Sequence, residues 1–253
     1  GKTYLRTDST AAEAVTGGTD KHFEHDLGNY FRQDWGNNPS ITYMFKRAKG
    51  FFDVVAYTGT GSAHTENHSL GVVPDMVWFK RRDVSGNDWR VSVNMSSLTY
   101  FTNGITLNDD ARRSGTGGWS ALPTATQMTL DTSSYSNSSG GDYISYLFAT
   151  LDGVSKCGYY TGNGSSQNIS CGFSAGARFV LIKSFSAVGD WYIWDTTRGI
   201  VTGNDPHLSL NTTSAEVTSD DSIDPQSAGF TVNQVSATNI NVSSATYIFM
   251  AIA

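Results

Sequence analysis

ITYMFKRAKGFFDVVAYTGTG, Ile41 to Gly61, and ISYLFATLDGVSKCGYYTGNG, Ile144 to Gly164, run in step over 21 positions at a constant offset of 103 residues. The offset lays Tyr43 on Tyr146, Phe45 on Phe148, Tyr57 on Tyr160, Gly59 on Gly162 and Gly61 on Gly164. Self-similarity at a fixed period marks a repeated structural unit. After a two-residue change in length the correspondence resumes: LGVVPDMVWFK ends at Lys80 and CGFSAGARFVLIK at Lys183, which pairs Gly71 with Gly172, Val77 with Val180 and Trp89 with Trp191. The final YIFMAIA answers YISYLFA. The expected organisation is an N-terminal segment over residues 1–47, a first repeat over 48–151 and a second over 152–253.

Within each copy the pattern is that of short strands. Ser, Thr, Asn and Gly fill 101 of the 253 positions, charged residues reach only 16 %, and the 31 aromatics sit in short runs rich in Val, Ile and Thr. TGTG and TGNG read as turns, and VSGNDWRV and AVGDWYIW each set a Gly-Asn or Gly-Asp turn before a Trp strand. Met76 to Arg81 and Phe179 to Lys183 read as central strands that end in a cation at the rim. Such strands, with no convincing helix among them, must bury their apolar faces by packing sheet on sheet. The expected fold is all-β: two tandem homologous β-sandwich domains of jelly-roll or lectin-like layout behind a short N-terminal attachment segment. Barrel-like closure stays open as an alternative.

The N-terminal segment is read separately. Ile41 to Arg47 resembles the closing strand of a repeat, yet the residues before it match neither copy visibly. Two accounts are open: the chain is cut from a longer protein, or its first strand completes the first domain in a permuted way. Phe23, Leu27, Tyr30 and Phe31 within KHFEHDLGNYFRQDW suggest a short helix over Lys21 to Trp35 despite Gly28.

Several residue groups invite a chemical reading. The formal charge of -6 gives no general reason to bind nucleic acid, and the longest apolar stretches fall far short of the roughly 20 residues a membrane helix needs. The N-terminus lacks a signal peptide's apolar region, so no membrane insertion is expected. Cys157 and Cys171 stand where the first copy has Val54 and Leu70, so both are expected as buried thiols, with a disulfide across adjacent strands as the alternative. On a strand His64, Glu66 and His68 would share a face and could meet at a metal, although an exposed hairpin arm accounts for them better. Asp109, Asp110, Asp195, Asp205, Asp220, Asp221 and Asp224 would make a glycosidase only if two of them opposed each other across a bond. Asn204 and Asp205 before Pro206 suit Asx-type turns better than a calcium site, which needs six or more oxygens. Lys80, Arg81, Arg82, Arg90, Arg112 and Arg113 make small positive spots. None of the glycine turns leads into the Gly-Lys-Ser/Thr and helix of a phosphate loop. No catalytic residue, cofactor or metal site is therefore expected. Sugar recognition through aromatic faces is the binding chemistry that fits best, with Tyr100, Trp119 and Tyr135 as glycan contacts on polar loops, and with Trp78, Trp89 and Trp191 as core.

The strings HSLGVVPDMVWFKRR, NDWRV, YTGNGSSQNISCGF, RFVLIK, DWYIWDTTRG and TYIFMAIA resemble a tandem β domain of tailed-bacteriophage structural proteins. The resemblance covers about Ile41 to Ala253, and the GVVPD pattern is intact only in the first copy. It implies a non-enzymatic virion protein, a tail fibre, appendage or capsid-associated component, located on the extracellular phage particle. Its expected partners are other virion proteins, further copies of itself in a homo-oligomer, with a trimer as one form, and a host cell-surface glycan. Capsid decoration is the nearest alternative function, and a polysaccharide-degrading tailspike the more distant one.

Overall fold

The computed structural model describes residues 3–15, 23–25, 31–33, 43–95, 104–112 and 117–253. The fold is all-β. Four short N-terminal strands, β1 (Thr3–Tyr4), β2 (Ala14–Val15), β3 (Phe23–His25) and β4 (Phe31–Gln33), form two antiparallel pairs, β1 with β2 and β3 with β4. The β3–β4 ladder pairs Phe23 with Gln33 and His25 with Phe31, so the helix expected over Lys21 to Trp35 is not formed in its described parts. Gly28 and Asn29 lie between the two strands, and both are poor helix formers.

Two five-stranded antiparallel sheets follow. The first contains β5 (Phe52–Thr58), β7 (Met76–Arg81), β8 (Arg90–Val93), β9 (Ile105–Thr106) and β11 (Asp142–Phe148), in the order β5-β11-β7-β8-β9. The second contains β12 (Ser155–Thr161), β14 (Phe179–Ser184), β15 (Trp191–Asp195), β16 (Leu208–Ser209) and β19 (Thr246–Ile252), in the order β12-β19-β14-β15-β16. The two orders correspond strand for strand. Each large sheet has a small companion: β6 (His64–Asn67) with β10 (Gln127–Leu130) for the first, and β13 (Gln167–Ser170), β18 (Gly229–Val232) and β17 (Ile223–Gln226) for the second.

Register fixes which side chains meet. Tyr57 is paired with Tyr143 and Tyr160 with Tyr247, and each pair stacks, at ring separations of 5.4 and 5.1 Å. Their hydroxyls donate outward to loop carbonyls, Tyr57 to Ser136 and Tyr160 to Ile240, Tyr143 to Ser134 and Tyr247 to Asn239, at 2.6–2.8 Å. Buried tyrosine thus places its ring in the core and satisfies its polar tip at the loop.

Alternation along the strands sends neighbouring residues to opposite faces. One face of the first sheet packs Tyr57, Val77, Phe79 and Leu147 against Met128 and Leu130 of β10. The equivalent face of the second packs Tyr160, Val180, Ile182 and Phe249 against Ile169 of β13 and Phe230 of β18. The remaining faces of the two large sheets contribute to one cluster, which joins Phe52, Met76, Trp89 and Val91 to Phe179, Leu181, Trp191 and Met250. The large sheets therefore share a core. This explains why all six residues of β14 are buried: both of its faces are covered.

A polar joint completes this core. Trp191 Nε1 donates to the Thr106 carbonyl at 2.9 Å, Lys183 Nζ donates to the Asp110 carbonyl at 2.8 Å, and the Gly189 N–H shares that carbonyl at 2.9 Å. The first sheet has the same clasp on the N-terminal segment. Trp89 Nε1 donates to the Arg6 carbonyl at 2.8 Å, and Lys80 Nζ and the Gly86 N–H converge on the Thr10 carbonyl at 3.2 and 3.0 Å. Lys80 and Lys183 are fully buried, not rim cations: each strand ends beneath a docked segment whose carbonyls receive the ammonium.

Candidate functional site, an aromatic cleft on the first sheet

The two large sheets differ in how well their inner faces are covered. On the second, Cys157, Leu181 and Met250 are buried. The corresponding Val54, Trp78 and Tyr146 on the first are only half-buried, and they line a cleft of about 480 Å³. Strands β5, β11 and β7 lie side by side, and the Tyr146–Trp78 pair sets two aromatic rings abreast. Phe148 packs 5.0 Å from Trp78, and Trp89 stacks on Tyr146 at 6.0 Å. The far wall is the N-terminal segment, through Leu5, Thr7 and Glu13.

The cleft is apolar at its base and polar at one margin. Arg82 and Glu13 pair there at 3.0 Å, and the Glu13 N–H also donates to the Arg82 carbonyl at 2.7 Å. Trp78 Nε1 is buried without a hydrogen-bond partner among the described residues, so this wall holds a donor with nothing to donate to. Burial raises the Tyr146 hydroxyl above its ordinary pKa, which keeps it a neutral donor. Convergent aromatic faces with a few polar groups at the edge suit a ligand that offers C–H surface and hydroxyls.

The residues expected from sequence to contact glycan are not assembled here. Tyr100 lies outside the described residues. Trp119 is buried rather than exposed on a loop: its ring packs edge-on against Phe79 at 5.2 Å and its Nε1 donates to Ser92 Oγ at 2.9 Å. Tyr135 is half-buried, with the Arg90 guanidinium 3.9 Å over its ring, a cation–π contact that occupies this face. Of the three tryptophans read as core, Trp89 and Trp191 are buried. Trp78, the third, forms the cleft wall. Sequence reasoning missed Trp78 and Tyr146 because their counterparts Leu181 and Met250 are ordinary core residues.

Other groups resolve into structure. His64 and Glu66 meet at 3.0 Å, but His68 turns away, its Nε2 on the Thr124 carbonyl and its Nδ1 accepting the Leu70 N–H. Among the described residues no group of three His, Cys, Asp or Glu is placed to hold a metal. Cys157 and Cys171 are free buried thiols in different core clusters; burial pushes Cys157 well above its ordinary pKa and Cys171 up to about 12. Asp195 is held by Arg198 at 2.7 Å and by the Tyr43 hydroxyl at 2.5 Å. Asp205 is fully buried; its Oδ1 accepts the Val201 N–H, and burial, aided by Asp224 and Asp221, pushes its carboxyl up to about 7.

With this geometry in view, the family comparison is specific. Residues 46–253 match the domain of unknown function DUF7483. The chain belongs to the DUF7483 family. The DUF7483 match takes in both large sheets and both small companions, so the family's domain spans the pair. Neither the curated proteins nor the solved structures compared with it give a match.

Proposed function

We propose that this DUF7483 protein is a non-enzymatic structural module of a tailed-phage particle, of the tail-fibre or appendage kind, whose aromatic cleft takes a host-surface glycan. In this reading the chain carries two homologous sandwich units, each a large sheet over its small companion, joined back to back. The single observation that carries the binding role is the cleft formed by Trp78, Tyr146 and Trp89 with Arg82 and Glu13 at its margin. The phage setting rests on the sequence strings alone. A structural role is supported by where the buried polar groups go: Lys80, Lys183, Trp89 and Trp191 hold backbone carbonyls in the joint.

A glycan array on the purified protein tests the binding role. The expected result is a restricted set of bound glycans, with Trp78→Ala weakening binding by about tenfold or more, the loss of one aromatic platform. Trp119→Phe is expected to leave binding unchanged. An array with no bound glycan, or equal binding by Trp78→Ala, would overturn it.

A further inference from the structure

The joint between the sheets uses a docking element that occurs three times among the described residues and a receptor that occurs twice among them. The receptor is the clasp of Trp, Lys and Gly donors. The docking element offers two carbonyls four residues apart, Thr106 and Asp110 in the second clasp, Arg6 and Thr10 in the first. The third copy of the element is Ser209–Thr213. Leu210 N–H donates to the Trp191 carbonyl as Leu107 N–H does to Trp89. Asn211 Oδ1 accepts the Trp191 N–H as Asn108 Oδ1 accepts that of Trp89. Asn211 Nδ2 reaches Asp190 as Asn108 Nδ2 reaches Asp88. Yet among the described residues no clasp covers it: Leu208, Ser209 and Leu210 are half-buried where Ile105, Thr106 and Leu107 are buried.

We infer that Ser209–Thr213 is a self-assembly element whose partner is the Trp89–Lys80 clasp of a second copy of this chain, entered in place of that copy's Arg6–Thr10. The exchange is close to balanced at the clasp, because one pair of carbonyls replaces another. The bond it breaks at the donor end, from Thr7 Oγ1 to the Leu210 carbonyl, belongs to the same N-terminal segment that is displaced. The gain lies on the sheet face. Within one chain, docking of Thr106–Asp110 accompanies a covered inner face on the second sheet. The first sheet, whose clasp holds the N-terminal segment among the described residues, keeps Val54, Trp78 and Tyr146 half-buried. A second copy seated by the same joint lays its second large sheet over that face. The contact is head-to-tail, and it builds a ring if the rotation closes and a filament if it does not.

The inference does not rest on the adhesion reading: the seated copy covers the Trp78 and Tyr146 cleft, so glycan is expected only on chains whose clasp holds their own Arg6–Thr10, and the test does not use glycan. Sedimentation velocity on the full chain is expected to show association that rises with concentration. Thr213→Arg, at an exposed position of the element, is expected to give a monomer with an unchanged melting temperature. Ala12→Cys with Ser85→Cys joins positions whose Ala12 N–H and Ser85 Oγ lie 3.1 Å apart, and so ties the N-terminal segment into its own clasp. This variant is expected to be monomeric when oxidised and to associate when reduced. A wild-type chain that stays monomeric at every concentration, or an oxidised variant that associates as fully as the reduced one, would overturn the inference.

Discussion

Lys80 and Lys183 show what a single position contributes. Each closes a mostly apolar strand and, in sequence, looks like a cation reaching solvent. In the fold each ammonium lies beneath a docked segment and spends its protons on carbonyls. Burial lowers the pKa of both, that of Lys183 to about 8, while Asp109, Asp110 and Asp190 oppose the drop. The sign of the pH effect follows. Between pH 8 and the unfolded-state value near 10.5, the unfolded chain binds more protons than the folded one, so this group makes stability rise with pH across that window. Thermal unfolding followed from pH 7 to 10.5 is expected to show that rise, and Lys183→Met to flatten it. An unchanged slope in the variant would mean that Lys183 is charged and solvated in the fold. The composition held no sign of this, because burial of a lysine depends on a segment some 73 residues away in the chain.

At the level of elements, the TGTG and TGNG turns were legible as turns, though not for the whole reason. Gly61 and Gly164 do take positive φ, +72° and +76°, as such a reversal requires. Gly59 and Gly162 do not; they are glycine because a Cβ would strike the backbone carbonyl of Ser138 or Val242. Gly162→Ala is therefore expected to cost about 3 kcal/mol, at the upper end of overpacking, against about 1–2 kcal/mol for Gly86→Ala, where the space is open and only the strain of a positive φ is added. Chemical denaturation of the two variants reads the difference directly. The helix expected near Lys21 is replaced, in its described parts, by paired strands: a 3.6-residue apolar spacing and a pair of short strands are hard to tell apart over fifteen residues, and the pairing of Phe23–His25 with Phe31–Gln33 decided for β3–β4.

On the scale of the molecule, the strings that repeat at 103 residues cover β5 and β7 of the first large sheet and β12 and β14 of the second, and the stacked tyrosines and clasping tryptophans fall at corresponding places, but the closing strand read over Ile41 to Arg47 is not formed in its described part, residues 43–47. How the sheets meet was not legible. Periodicity reports that a face is apolar and is silent on whether that face meets its own companion or another sheet. Trp78 illustrates the gap: it corresponds to the buried Leu181, and only the incomplete cover over the first sheet turns it into a cleft wall. The equivalence of Arg6–Thr10 to Thr106–Asp110 was likewise hidden, because the clasp reads backbone carbonyls and places little demand on side-chain identity.

The functional account turns on where the chain resides. Cryo-electron microscopy of purified particles of a phage encoding it, with peptide mass spectrometry on the same preparation, addresses this most directly. The account expects both large sheets to be traceable in a tail appendage; absence of the chain from intact particles would contradict it.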